Sequence, residues 1–129
     1  MNKKWEKRIA LEYVKKLSIK TPSIDTQIKS LSGGNQQKVV LAKWLVANSD
    51  ILLLDEPTRG IDVNAKSEIY ALINDFTQKG GSVILVSSDL PEILGICDRI
   101  IVMREGQITG MTSREEASEE KVMKLASLN

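Results

Sequence analysis

The sequence contains no histidine and only one cysteine, Cys97, among its 129 residues. The lack of histidine excludes Ser-His-Asp and Cys-His nucleophiles, imidazole acid–base catalysis and the commonest zinc sites. A single cysteine excludes an internal disulfide and is compatible with a reducing compartment. Any chemistry must therefore use carboxylates, hydroxyls, amides, lysine or arginine.

Long apolar runs and an excess of one charge are also missing. The best apolar candidate, residues 39–47, is interrupted by Lys43 and is far shorter than the ~18 residues of a membrane span. Eighteen basic residues against seventeen acidic ones give a net charge of +1, which provides no electrostatic argument for a nucleic-acid partner. We expect an intracellular soluble protein of one domain, residues 1–129, with attachment to a membrane complex left open.

Apolar spacing predicts three helices in the first two-thirds of the chain. Residues 5–17 carry an apolar side chain every four positions, and residues 21–23 are expected to end this helix. A second helix is expected over residues 33–47 with Ser32 as its cap. Residues 69–76 show the i, i+3, i+4, i+7 spacing of a third helix.

Short apolar runs predict the strands. Residues 51–54 and 82–87 are typical of strands buried on both faces, and the helix between them predicts a parallel βαβ unit. Residues 99–103 and 107–111 indicate two strands joined by a turn. The fold class is therefore α/β.

Two shorter helices complete the prediction. One follows the second strand and has Pro91 in its first turn. The other is expected to begin at a capping box formed by Ser113 and Glu116.

Two acidic residues, Asp55 and Glu56, follow the first strand, and Ser88 and Asp89 follow the second. Ligands of open α/β sheets bind at this carboxyl edge. Adjacent acids suit nucleotide hydrolysis, because one can hold the water shell of Mg²⁺ while the other orients an attacking water. A solvated strand end has the same residues, and the pair alone leaves both interpretations open.

Residues 31–34, Leu-Ser-Gly-Gly, precede the second helix. Unpaired amides and the positive end of the helix dipole form an anion site there, and glycines let a phosphate approach the backbone. A plain loop with a helix cap is the alternative. The regular order of residues 31–38, 51–62 and 86–94, with one helix between successive segments, argues against coincidence.

Together these segments resemble an ATP-binding cassette (ABC) ATPase, specifically the second nucleotide-binding domain of ribose, galactose and xylose importers. LSGGNQQK is similar to the signature motif, ILLLDE to the Walker B strand, residues 58–62 to the D-loop and VSSDLPEIL to the switch segment. DEPTRGID and SSDLPEIL indicate the sugar-importer branch. The resemblance implies a three-layer P-loop NTPase fold with parallel strands.

The resemblance covers only part of a cassette. A phosphate loop needs G-x-x-x-x-G-K-[ST], and no glycine here is followed by lysine. That loop and its strand would lie upstream of Met1, so a partial domain is expected. In the family fold this strand separates strand 82–87 from the strand near Ile101, which leaves three alternatives. In the first, strand 82–87 and the strand near Ile101 pair directly. In the second, they pair with another chain. In the third, this chain is a piece of a larger protein.

The resemblance implies that the signature acts in trans. Ser32, Gly33, Gly34 and Asn35 would contact the γ-phosphate of ATP held by a partner nucleotide-binding domain. Gln36 would complete the first helical turn.

The acids would serve the chain's own cassette. Asp55 would organise Mg²⁺ through water, Glu56 would be the catalytic carboxylate, and Asp62 of the D-loop would bridge the two cassettes. Ser88 stands where most cassettes have the switch histidine, and a hydroxyl cannot replace a titratable imidazole. The site of Glu56 is therefore expected to be degenerate.

The implied function is that of the ATP-binding component of a monosaccharide importer, lying peripherally at the cytoplasmic face of the cell membrane. Its expected partners are a second nucleotide-binding domain, permease subunits and, indirectly, a sugar-binding protein. The isolated chain is expected to be inactive. The alternatives are a soluble ABC-type ATPase that acts on DNA or ribosomes and a non-enzymatic interaction fragment.

Overall fold

The computed structural model describes residues 3–127 and contains helices and strands in mixed order. The α-helices are α1 (Lys3–Lys16), α2 (Gly33–Val46), α3 (Val63–Gln78), α4 (Leu90–Ile96) and α5 (Glu119–Ser127). The strands are β1 (Ile51–Asp55), β2 (Ser82–Val86), β3 (Arg99–Arg104) and β4 (Gln107–Ser113), and a 3-10 turn spans Ile28–Ser30. The predicted α/β class is confirmed. None of the described helices is long and apolar enough to cross a membrane.

The chain divides into two compact units whose boundary falls within β2, after Ile84. The core of the first unit includes a cluster of Leu17, Ile19 and Ala42, and Ile69 of α3 is completely buried. The second unit has a core of its own, made of Ile100, Val102, Val122 and the partly buried residues around them. The prediction of a single domain stays a prediction.

Helix α1 ends earlier than predicted, at Lys16 instead of at residues 21–23. Ser18 takes a left-handed conformation with φ of 49°, and the Ile19 amide donates to the Val14 carbonyl at 2.9 Å. This closure resembles the Schellman pattern, although glycine is the usual residue at such a position. It places Leu17 and Ile19 in the core immediately after the helix, 2% and 6% exposed respectively.

The helix predictions for α2, α3 and α4 are confirmed, although α3 begins at Val63, six residues before the apolar spacing of residues 69–76. Helix α3 buries Ala65, Ile69 and Ile73, which lie on one face as the apolar spacing requires. Pro91 lies in the first turn of α4, where its missing N–H has no intrahelical acceptor to lose.

Strands β1 and β2 are parallel neighbours in one two-stranded sheet, as predicted. The expectation that both are buried on two faces is wrong. In β1, Leu52 and Leu54 are buried, whereas Ile51 and Leu53 are 59% and 74% exposed. In β2, Ile84 is also more than half exposed. An apolar run shows that a strand could be buried on both faces. Whether both faces of the strand are in fact covered depends on elements outside it.

Strands β3 and β4 form the predicted hairpin, which is antiparallel with Arg99 opposite Ser113 and Arg104 opposite Gln107. The connecting residues Glu105 and Gly106 have φ of 50° and 78°, as a two-residue type I′ turn requires. Among the described residues this hairpin and the β1–β2 pair are separate sheets. Direct pairing of β2 with β3, one of the three alternatives for the sheet, is therefore not observed.

The predicted capping box for the last helix is wrong. Ser113 is the final residue of β4, and α5 begins six residues later, at Glu119. The Ser118 hydroxyl accepts a hydrogen bond from the Lys121 amide at 3.1 Å. The pKa of Glu115 is lowered because its own backbone N–H, and next the Ser113 hydroxyl, donate to its carboxylate. Ser113 thus bonds within the turn that precedes the helix.

We expect Ser118→Ala to destabilise the second unit by about 1 kcal/mol, the usual cost of losing a helix cap. Ser113→Ala is the matched control and should cost less, because Glu115 is exposed to water. Urea unfolding of both variants checks the prediction. A larger loss in Ser113→Ala than in Ser118→Ala would contradict this assignment of the cap.

Candidate functional site

The signature segment, residues 31–38, forms the start of α2. Ser32 is at the N-cap with extended backbone angles (φ −61°, ψ 154°), and its carbonyl accepts from the Gln36 amide at 2.9 Å. The Ser32 side chain forms no cap bond to the helix. The first amides of α2 therefore have no intrahelical acceptor and lie at the positive end of the helix dipole, with Ser32 and Gly33 exposed.

Two amide side chains fix this segment from within. Asn35 accepts from the Lys20 amide at 2.8 Å and donates to the Ser32 hydroxyl oxygen at 2.8 Å. Gln36 donates through Nε2 to the Leu31 carbonyl at 2.8 Å. The sequence did not reveal these structural roles, because the partner Lys20 lies fifteen residues from Asn35 and no local pattern signals it.

The two glycines bring the signature segment against the D-loop (residues 58–62) and the start of α3. A Cβ built on the buried Gly34 would lie 2.5 Å from the Ala65 Cβ. A Cβ on Gly33 would lie 3.4 Å from Cγ2 of Ile61. Glycine at position 34 thus permits a backbone approach that a larger residue would prevent.

Asp62 is the N-cap of α3, with its Oδ1 accepting from the Ala65 amide at 3.0 Å. The sequence-based expectation for Asp62 was a bridging role between the two cassettes. An aspartate immediately before an apolar helical repeat is a cap signal that could have revealed the bond. Asp62 is exposed at the surface, and its chain neighbour Ile61 lies against Gly33, so the structure brings the D-loop together with the signature segment.

Lys38, the last residue of the signature segment, is almost fully buried and joins three elements. Its ammonium donates to the Ser18 carbonyl at 3.1 Å and pairs with Glu68 of α3 at 2.5 Å. The Lys38 side chain is 3% exposed, whereas that of Glu68 is 50% exposed. Lys38 therefore connects α2 both to the end of α1 and to α3.

The two acids lie at the carboxyl end of β1, as predicted. Asp55 is the exposed last residue of the strand. Glu56 is half-buried, with φ of 47° in the left-handed region, and its carbonyl accepts from the Arg59 amide at 3.2 Å. Thr58, two residues after Glu56 in the same turn, is 2% exposed. This turn directs the chain from the strand into the D-loop.

The donor set of this edge fits a cation only in part. Carboxylate oxygens suit Mg²⁺, which usually binds one or two carboxylates together with substrate phosphates and water. Within residues 3–127 no group of three or more histidine, cysteine, aspartate or glutamate side chains could hold a metal. The phosphates of a nucleotide would therefore have to supply further ligands beside Asp55.

Ser88 belongs to the second unit and lies exposed between β2 and α4. The turn around it is held by its neighbours, since the Asp89 amide donates to the Ser87 hydroxyl at 3.0 Å. Asp89 caps α4 by accepting from the Glu92 amide at 3.2 Å. The switch position is thus the surface residue just before a capped helix.

Cys97 ends α4 and packs beside the core of the second unit. Burial raises the pKa of its thiol, and the negative charges of Glu92 and Asp98 raise it further. A thiol with a raised pKa is a poor nucleophile at neutral pH. Cys97 therefore acts in this core as a small apolar residue.

A family profile described as "ABC transporter" matches residues 2–59, which contain the signature segment, β1 and both acids. The ribose import ATP-binding protein RbsA of Clostridium tetani is 56% identical over 126 residues, 98% of this chain and 25% of that protein. The xylose import ATP-binding protein XylG of Moorella thermoacetica is 58% identical over the same share of each chain. The chain belongs to the ABC transporter ATP-binding family.

Solved structures agree with this ABC assignment. A dimeric, post-hydrolysis structure of the ATP-binding cassette MJ0796 with ADP and Pi matches with a TM-score of 0.77 and 27% identity. The match covers 88% of this chain and 49% of that one. The ABC cassette fold predicted from the motifs is therefore confirmed, and the chain spans about a quarter of the length of the curated relatives it matches.

Proposed function

We propose that this chain is part of the ATP-binding component of a monosaccharide ABC importer and that it supplies the signature segment to a partner cassette. The observation that carries the proposal is the exposed start of α2, where the side chain of the N-cap residue Ser32 forms no hydrogen bond to the helix. Its support comes from relatives named as ribose and xylose import ATP-binding proteins. A second nucleotide-binding domain is the direct partner.

The signature segment would bind the γ-phosphate of ATP held by that partner. Ser32 and Gly33 are both exposed residues, and the Gly33 N–H and the Ser32 hydroxyl would be the donors to the phosphate. Charge-assisted hydrogen bonds from such donors to a phosphate oxygen are stronger than bonds between neutral groups. The helix dipole adds to this attraction because negative charge is favoured at the first turn of α2.

The carboxylates would serve nucleotide on the chain's own cassette. Mg²⁺, when bound, would neutralise phosphate charge, and Asp55 would hold its water shell. Glu56 would orient and deprotonate the attacking water. Ser88 can donate a hydrogen bond but cannot exchange an imidazole proton, so this site would be degenerate.

Asp62 would contribute to the contact between the cassettes. Its capping bond holds the carboxylate at the start of α3, and Gly33 and Gly34 pack against the same corner of the chain. A shift of the signature segment would therefore be transmitted to the D-loop. This connection supports a role for residues 58–62 in signalling between two nucleotide sites.

The complete assembly would lie at the cytoplasmic face of the membrane, peripheral to permease subunits that receive the sugar from a binding protein. The chain itself contains no G-x-x-x-x-G-K-[ST] loop to surround the phosphates. Alone it should neither hydrolyse ATP nor bind it tightly.

The proposal is tested by measuring ATP hydrolysis by a first cassette that carries a phosphate loop, with and without this chain. We expect stimulation by the wild-type chain and at least an approximately tenfold loss in Ser32→Arg, because a long side chain would block the approach of phosphate to the backbone. Ser67→Arg, the same change at an exposed position of α3, is the matched control and should keep full stimulation.

Two results would contradict the proposal. Equal stimulation by the wild-type and Ser32→Arg chains would exclude a role of the signature segment in trans. Absence of stimulation combined with salt-dependent nucleic-acid binding would favour the non-transport ATPase instead.

A further inference from the structure

The Asn35 side chain connects the signature serine to a distant part of the first unit. Its Oδ1 accepts from the Lys20 amide, and its Nδ2 donates to the Ser32 hydroxyl oxygen, both at 2.8 Å. A backbone N–H can only donate, so the Lys20 contact requires the oxygen of the Asn35 amide on that side. The amide nitrogen must then face Ser32.

This polarity determines what the Ser32 hydroxyl can do. A hydroxyl has one proton and two lone pairs, and here a lone pair receives the Asn35 hydrogen bond. The Ser32 proton is therefore not used toward Asn35. It is available to donate outward from the exposed start of the helix.

The anchor at Lys20 is rigid because its neighbour is part of the core. Ile19 is 6% exposed, and its amide donates to the Val14 carbonyl at 2.9 Å. The Lys20 amide thus has a fixed place relative to α1, and through Asn35 it fixes the signature serine. Catalytic and binding groups held in this way lose little entropy when they engage a ligand.

We propose that Asn35 is a positioning residue that keeps the Ser32 hydroxyl as an outward hydrogen-bond donor to the γ-phosphate, an inference that rests on the proposed function. It replaces the sequence-based expectation that Asn35 itself contacts the phosphate. An aspartate at this position would be an acceptor on both sides and would draw the Ser32 proton inward. The amide is therefore required for its donor group.

The hydrogen-bond geometry is tested first on the free chain by NMR. In Ser32→Ala, one Asn35 side-chain amide proton should shift upfield, while the Lys20 amide remains protected from exchange. In Asn35→Ala, exchange of the Lys20 amide should accelerate about five- to tenfold, as expected for one net hydrogen bond. Unchanged Asn35 resonances in Ser32→Ala would overturn the proposal, whatever the chain's activity.

The functional role is tested by a double-mutant cycle in the stimulation assay with the phosphate-loop cassette and ATP. Ser32→Ala and Asn35→Ala should each raise the apparent KM for ATP about five- to tenfold, and the double variant should be no worse than Ser32→Ala. Additive effects would mean that Asn35 contacts the nucleotide directly and would overturn the proposal.

The two arms separate the possible failures. If the wild-type chain does not stimulate ATP hydrolysis, the proposed function is contradicted. The γ-phosphate is then also excluded as the acceptor of the Ser32 hydrogen bond. The NMR arm decides independently whether Asn35 orients the hydroxyl. Asn35→Asp gives a last check, because it should preserve Lys20 protection yet lose stimulation to at least the extent of Ser32→Ala.

Discussion

Gly34→Ala is expected to destabilise the first unit by about 2–3 kcal/mol, although it adds a single methyl group to a helix. That methyl carbon would lie 2.5 Å from the Ala65 Cβ, well inside van der Waals contact. Both residues are buried, so neither side chain can move into solvent. Helices α2 and α3 would have to separate, and the free energy of unfolding, measured in urea, should report the loss.

Two controls isolate the steric cause. Gly95→Ala makes the same change in α4, where no atom beyond the adjacent residues and the helix's own backbone lies within 4 Å of the added carbon. It should be stabilising by about 0.5–1 kcal/mol because alanine has the higher helix propensity. Ala65→Gly combined with Gly34→Ala removes the opposing methyl and should restore most of the lost stability. If the double variant is as unstable as Gly34→Ala, the clash is not the cause.

Lys38→Ala is expected to destabilise the first unit by about 3 kcal/mol, the scale observed when one partner of a buried ionic contact is removed. The change removes the buried side-chain stem, the bond to the Ser18 carbonyl and the ion pair with Glu68. Because Glu68 is half exposed, water can solvate its carboxylate after the change. The Ser18 carbonyl is then the group that loses a specific partner.

Two further variants separate these contributions in the same urea experiment. Lys38→Met keeps an unbranched stem of similar size and should cost about 1–2 kcal/mol, mainly from the lost carbonyl bond. Glu68→Gln keeps Lys38 bonded to Ser18 and should cost less than 1 kcal/mol, as is typical of exposed ion pairs. A loss in Glu68→Gln equal to that in Lys38→Ala would contradict the dominant role of the buried end.

The elements that the sequence predicted well have local causes. Helix α3 depends on an apolar repeat within its own residues, and the turn at Glu105 and Gly106 depends on two adjacent residues that tolerate positive φ. The position of the acids Asp55 and Glu56 was predicted correctly because residues that directly follow a strand must lie at its carboxyl end. Short-range physical chemistry was sufficient in each case.

The predictions that failed concern features that depend on a distant residue or on a competing interaction. The end of α1 depends on a left-handed Ser18, which its residue type does not favour. The start of α5 was misplaced because Ser113 and Ser118 both precede acidic residues. Ser113 pairs with β3 as the last residue of β4 and therefore cannot cap the helix. For Asn35, the decisive partner is a backbone amide in a different segment. No pattern within one segment contains that information.

The left-handed backbone of Glu56 affects which amino acids this position of the turn accepts most easily. Its φ of 47° is one that glycine or asparagine adopts more easily than glutamate. A non-glycine residue in this region stores of order 1 kcal/mol or more of conformational strain. A library of variants selected only for thermal tolerance would therefore tend to discard the carboxylate proposed to activate water.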